Sequence, residues 1–148
     1  MIDNKLLKAN AIISLLKANS VGDDIEIYNN NYYQAENNGY KEGMAWTLAN
    51  KGQIHIKLSE YHKGFECFTR SLTICEEHDD KIGMGLNLNS LAWMYQYVNR
   101  NLDKALTYTN RSLELFKETK DKLGMSLSYR SLAEIFIVSD KFPETGIS

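Results

Sequence analysis

Proline is almost missing from this chain: among 148 residues only Pro143 occurs. Proline breaks a helix interior by removing an amide donor and crowding the preceding turn, so a chain with one, close to its end, leans toward all-α. The same scarcity counts against a turn-rich β-sandwich. Cysteine is scarce as well, with Cys67 and Cys75 alone. On one helix those two would be separated by about 12 Å of rise, beyond disulfide reach, and free thiols suit a reducing compartment. There is no excess of one charge: a formal net charge of -2 and an isoelectric point near 5.9 give no general attraction to nucleic acid. Nor is there a long apolar run. The stretch from Ala9 to Leu16 contains Asn10 and Ser14 and ends at Lys17, which makes a poor signal peptide and is too short to span a bilayer. What is present is ordinary globular composition, 43% hydrophobic and 24% charged. The length allows one domain, residues 1–148, with a core of its own. The expectation is a soluble cytoplasmic protein with no affinity for nucleic acid or membrane.

The chain repeats itself. Lys81-Ile82-Gly83-Met84 recurs as Lys122-Leu123-Gly124-Met125 and, with one change, as Lys41-Glu42-Gly43-Met44. The spacings are 40 and 41 residues, a period that signals a stacked repeat architecture. Downstream, Leu48, Leu88 and Tyr129 correspond, as do Ile54, Met94 and Ile135, and His55, Tyr95 and Phe136. Arg70-Ser71-Leu72 aligns with Arg111-Ser112-Leu113, and one extra residue near Asn99–Asn101 absorbs the change of period. The repeats run over about 3–42, 43–82, 83–123 and 124–148, the last cut short.

Each repeat reads as two helices. In the second, Leu88, Leu91, Ala92, Tyr95 and Val98 form one stripe at three- and four-residue steps. After Asn99-Arg100-Asn101, a second stripe follows through Leu102, Ala105, Leu106, Leu113 and Phe116. Repeat one places its helices at Trp46–Leu58 and Tyr61 to about His78, and Asp80 and Asp121 stand where N-caps are wanted. Residues 3–40 are a fainter copy. Leu6, Ile12, Ile13 and Leu16 would make its first helix and Val21-Gly22-Asp23-Asp24 its turn, with Ile25, Tyr28 and Tyr32 on the second.

This helix–turn–helix pattern resembles the tetratricopeptide repeat family. The family's large, Leu-Gly, Tyr, Ala and aromatic positions fall on Leu88, Leu91-Ala92, Tyr95, Ala105 and Thr109 in repeat two, and on Leu48, Lys51-Gly52, His55, Gly64 and Phe68 in repeat one. Repeat three offers Tyr129, Leu132-Ala133 and Phe136. The closing proline is absent and the period is longer than the usual 34, which would lengthen the second helix by about a turn and a half. Such extended repeats are similar to those of kinesin light chain and of bacterial signalling proteins. The resemblance implies an all-α right-handed α-solenoid of about three and a half helical hairpins, a TPR-like superhelix.

Catalytic motifs are not found. Gly83-Met84-Gly85 lacks the third glycine of a dinucleotide fingerprint, and no metalloprotease or nucleophile-elbow motif occurs. His55 holds a packing position, His62 falls in a turn, and Glu76-Glu77-His78-Asp79-Asp80 reads as a solvated connection. No enzyme activity, cofactor or metal is expected.

The resemblance instead points to a concave face made by the first helices, where a protein or peptide ligand binds. By register that face presents Trp46, Asn50 and Gln53 in repeat one; Asn89, Trp93, Gln96 and Tyr97 in repeat two; and Arg130 and Glu134 in repeat three. Amides can donate to and accept from a peptide backbone, and aromatic rings give contact area at low entropy cost. The expected function is a protein-binding module, the sensory or scaffolding part of a longer bacterial signalling protein. The alternative is self-association as a homo-oligomer through Tyr129, Leu132, Ile135 and Phe136, a stripe left without its partner helix because the third hairpin stops early.

Overall fold

The computed structural model describes residues 21–141 together with Asn4, Lys5 and Lys8. The expected helix through Leu6, Ile12, Ile13 and Leu16, and the start of a further helix after Phe142, lie outside the described residues. Among those described there are six helices and no strand: α1 (Val21–Asn37), α2 (Lys41–Lys57), α3 (Tyr61–Glu77), α4 (Lys81–Tyr97), α5 (Leu102–Thr119) and α6 (Lys122–Lys141). Val21-Gly22-Asp23-Asp24 opens α1 where a turn was expected. Asn29-Asn30-Asn31 lies within that helix, carried along by the buried Tyr28 and Ala35 on its inner side.

Helix lengths correct one expectation. The extra residues of the long repeat are not taken up by the second helix alone: the α2–α3 hairpin has helices of 17 and 17 residues, and α4–α5 has 17 and 18. Equal lengths let both members of a hairpin stay in contact to their ends. The turns between them are equally regular. Each uses one residue in the left-handed region: Gly39, Ser59, Asp79, Arg100 and Lys120, with φ between 52° and 65°. The extra residue of repeat two sits in the turn between α4 and α5, as the sequence suggests.

Caps fix the helix starts. Asp80 Oδ1 accepts from the Gly83 amide at 3.0 Å, and Asp121 Oδ1 from the Gly124 amide at 3.2 Å, each satisfying one of the orphan donors of a first turn. Asn101, which the pattern had left as a loop residue, caps α5 by accepting from the Lys104 amide at 3.1 Å.

The chain divides into two compact units, residues 1–78 and 79–148. In the first, α2 packs on both α1 and α3. Tyr40, Ala35 and Met44 form a cluster with Tyr32 and Ile74, while Phe68 seats its ring where a Cβ on Gly52 would stand 2.8 Å away. In the second unit, α5 packs on α4 and α6, and α4 also touches α6. Its centre is Phe116, completely buried. A Cβ added at Gly85 of α4 would come within 2.7 Å of that ring, and one at Gly124 of α6 within 2.2 Å. The ring thus lies between two glycines, and helix spacing there is set by the absence of their side chains.

A buried serine closes each hairpin. Ser71 of α3 donates to the Ala45 carbonyl at 2.8 Å, and Ser112 of α5 donates to the Gly85 carbonyl at 2.8 Å. The two serines are those of the repeated Arg-Ser-Leu phrase. Both hydroxyls are removed from water, so these bonds satisfy groups that would otherwise be costly to bury.

Candidate functional site

The first helix of each repeat has a stripe turned away from its hairpin partner. In the second unit this stripe is apolar on α4, whereas on α6 it places Arg130 and Glu134 between Leu123 and Ile137. The large exposed apolar side chains of that unit are Ile82, Leu86, Trp93 and Tyr97 on α4, and Leu123, Tyr129, Phe136 and Ile137 on α6. The second helix between them, α5, contributes none. Its outer residues are Asp103, Lys104, Thr107, Asn110, Arg111, Glu114, Lys117 and Glu118, the polar pattern of a solvated face.

Two hydrogen bonds join α4 to α6 along this face. Ser128 Oγ donates to Asn89 Oδ1 at 3.3 Å, and the Tyr97 hydroxyl donates to Glu134 Oε2 at 3.0 Å. Residue numbers rise together from one bridge to the next, so the two helices run parallel. Trp93 and Tyr97, one turn apart, have ring centroids separated by 5.3 Å and tilted by 40°. Arg130 Nε lies 3.9 Å from Glu134 Oε1. Burial, and then the bond to Glu134, push the Tyr97 hydroxyl above its ordinary pKa, so it remains a donor at neutral pH.

The amides behave differently from expectation. Asn89 is tied inward: Ser112 and Ser128 hydroxyls lie 3.2 Å apart, and the chain Gly85–Ser112–Ser128–Asn89 crosses from α4 through α5 to α6 and back. Gln96, expected on the open face, is 5% exposed, and its Nε2 finds no hydrogen-bond partner in the protein. It follows the buried Met94 and Tyr95 on the inner side of α4, a position that simple stepping along the stripe does not separate from Tyr97. Ala133, aligned with the buried Gly52 and Ala92 of the other repeats, is exposed.

In the first unit the corresponding residues are more enclosed. Trp46 is half-buried, edge-on to Tyr28 with centroids 6.0 Å apart, and Lys8 Nζ stands 5.7 Å from its ring. Asn50 Nδ2 donates to the Trp46 carbonyl at 2.8 Å, within its own helix. Gln53 is exposed. A cleft between α1 and α2 is lined by Asn31, Ala35, Tyr40, Gly43, Trp46, Thr47 and Lys8.

The stripe expected to lack a partner divides in two. Ile135 is fully buried against its own unit, whereas Tyr129 is 51% and Phe136 47% exposed. At the same register Leu48 and Leu88 are buried, as are His55 and Tyr95. Lys117 Nζ lies 5.9 Å over the Tyr129 ring. Cys67 and Cys75 are buried free thiols, and burial raises the Cys67 pKa away from reactive thiolate. Among the described residues, no group of three His, Cys, Asp or Glu is placed to hold a metal ion. None of the described helices is long and apolar enough to cross a membrane.

The repeat geometry agrees with comparison to known proteins. A family model for the tetratricopeptide repeat matches residues 43–118, just over half of the sequence. The chain belongs to the tetratricopeptide repeat family. Solved structures with the same fold include BtubC (BKLC) from P. vanneervenii, with a TM-score of 0.69 at 16% identity, over 85% of this chain and 52% of that one. The chain therefore spans about half the length of that protein. No curated protein matches the sequence. Membership of this family accounts for the hairpins of near-equal helices and the small residues between them. Tetratricopeptide repeats generally mediate protein–protein interaction.

Proposed function

We propose that this tetratricopeptide repeat chain is a non-enzymatic protein-binding module whose principal contact surface is the α4–α6 face, and that it serves as the sensory or scaffolding part of a larger bacterial signalling protein. One observation carries the reading: large apolar side chains are exposed on both first helices of the second unit and on no part of the second helix between them. Exposed apolar side chains gathered on particular helices, while the helix between them is polar outside, mark an interaction surface. Trp93 and Tyr97 are its anchors, since aromatic residues dominate binding energy at such surfaces. Leu86, Arg130 and Glu134 flank them. Asn89 contributes by holding α4 to α6, and Trp46, Asn50 and Gln53 are the contact residues proposed for the first unit taken by itself.

The test is selection from a random peptide library of about 18 residues, roughly the length of α4, on the whole chain. The strongest peptides are then titrated against wild type and Trp93→Ala. Loss of at least about tenfold in affinity, with unchanged circular dichroism, supports the reading. Absence of any enriched peptide, or equal binding to the variant, overturns it.

A second reading is favoured by the exposure of Tyr129 and Phe136 at positions buried in the other repeats: self-association through this outer side of α6. Light scattering over a hundredfold concentration range, with wild type beside Phe136→Ser, decides it. A mass that stays monomeric throughout sinks this reading.

A further inference from the structure

The turn between α1 and α2 holds the one Asn-Gly pair of the sequence, Asn38-Gly39. We propose that this pair is a modification site: a self-deamidating asparagine, shielded while the last turn of α1 is closed, whose conversion to isoaspartate loosens α1 from α2. The reaction needs only water and lies within the first unit, so it does not depend on the binding reading above.

The chemistry is intramolecular. The Gly39 amide nitrogen attacks Asn38 Cγ and forms an N–Cγ bond. The Cγ–Nδ2 bond breaks, and ammonia leaves with the proton that Gly39 gives up. Water then opens the resulting five-membered succinimide at one of its two carbonyls. Opening at Cγ gives aspartate; opening at the main-chain carbonyl gives isoaspartate, whose backbone runs through Cβ and Cγ. No oxidant or reductant takes part. A side chain on the following residue obstructs ring closure, and glycine has none. Even a Cβ added at Gly39 would meet nothing within 4 Å, so the ring has open space around it.

The folded turn keeps the reacting groups apart. The Gly39 amide donates to the Glu36 carbonyl at 3.0 Å and the Tyr40 amide to the Ala35 carbonyl at 2.8 Å, with Gly39 left-handed at φ 65°. These are the two bonds of a Schellman helix end. Asn38 Nδ2 donates to the Gln34 carbonyl at 2.8 Å, which turns the side-chain amide back along α1. Ring closure therefore waits for this last turn to open, and helix ends are among the segments that open most readily.

The same turn carries a core residue. Tyr40 clusters with Ala35 of α1 and Met44 of α2, against Tyr32 and Ile74. Isoaspartate adds one atom to the backbone just before Tyr40, which takes its amide out of register with the Ala35 carbonyl. The new carboxylate also replaces the donor to Gln34 with a negative charge at a helix C-terminus, where the dipole disfavours it.

The test incubates the whole chain at mildly alkaline pH, with and without urea. Peptide mapping and isoaspartyl-specific methylation then follow each asparagine. Asn99 is the matched control, because Arg100 after it is also left-handed but bears a side chain. In urea, Asn38 is expected to convert about tenfold or more faster than Asn99. Without urea, it should convert about tenfold or more slower than with it. In the converted chain, α1 amides should exchange hydrogen about tenfold or more faster, while those of α5 keep their rates. Asn38→Gln, whose longer side chain closes a ring far more slowly, should keep its starting α1 exchange after the same incubation. Asn38 converting no faster than Asn99 in urea overturns the site. Equal Asn38 rates in folded and unfolded chains overturn the shielding, and unchanged α1 exchange after conversion overturns the loosening.

Discussion

Phe116 dictates what its neighbours can be. Its ring occupies the space that side chains at Gly85 and Gly124 would need, and the register positions of Gly85 and Phe116 in the first unit hold Ala45 and Cys75, a larger residue beside a smaller one. Gly124→Ala is therefore expected to lower stability by about 1–3 kcal/mol, read by urea denaturation. Adding Phe116→Leu should restore part of the loss in a double-mutant cycle. Gln96 works in the opposite sense. Its buried, unpartnered Nε2 costs about 1–3 kcal/mol, so Gln96→Met is expected to stabilise the chain, and an unchanged or lower unfolding midpoint contradicts this. His55 is the residue that responds to pH. Burial holds its pKa below the ordinary value, opposed by Glu60 at 3.7 Å and assisted by Lys51 and Lys63. The unfolded chain binds the proton more readily, so the contribution of neutral His55 is complete above about pH 6.5 and is lost as pH falls through the lower folded-state value. Thermal melts from pH 7.5 to 5 should fall less steeply for His55→Tyr, which copies Tyr95, than for wild type.

At the scale of elements, helix ends follow a rule visible in the coordinates and only half visible in the sequence. Asp80 and Asp121 are N-caps at the positions their place before Lys-x-Gly-Met suggests, because an aspartate there has one obvious donor to meet. Asn101 is a cap hidden in an asparagine-rich turn, where any of three residues could have taken the part. The left-handed residues Ser59, Asp79, Arg100 and Lys120 leave still less trace, since none is glycine and only Asp79 is of a type that tolerates that conformation well. Lys120→Gly should relieve this strain and raise stability by about 0.5–1 kcal/mol, measured by chemical denaturation. Stripe membership was legible for Leu88, Leu91 and Ala92, where three repeats agree. It was not legible for Gln96, because a buried amide beside an exposed Tyr97 reflects how α4 rotates against its neighbours, which periodicity does not fix. The serine–asparagine chain through Ser112, Ser128 and Asn89 is invisible for the same reason: its members come from three helices.

For the molecule as a whole, the repeat phrase at spacings of 40 and 41 residues was enough to identify five of the six described helices, although α2 begins at Lys41, five residues before the expected Trp46. The face that meets a partner depended instead on which apolar residues stay outside. Neighbour packing also sets what truncation does. Deleting residues 122–148 would open one side of Phe116 and remove Ser128 from Ser112. Loss of about 2–3 kcal/mol from the remaining chain is expected for uncovering one large ring, seen as a lower urea midpoint. An unchanged midpoint would mean that α5 needs no neighbour on that side.

The serine locks have an evolutionary consequence. Ser71 reaches Ala45 and Ser112 reaches Gly85, and in each case donor and acceptor belong to the same pair of helices. Each hairpin therefore carries both halves of its own buried bond. A gene segment encoding one hairpin can be copied, moved or lost in steps of about 40 residues with the serine lock of every surviving hairpin intact, whereas Ser128 of α6, whose partners Asn89 and Ser112 both belong to the α4–α5 hairpin, would be orphaned by loss of that hairpin.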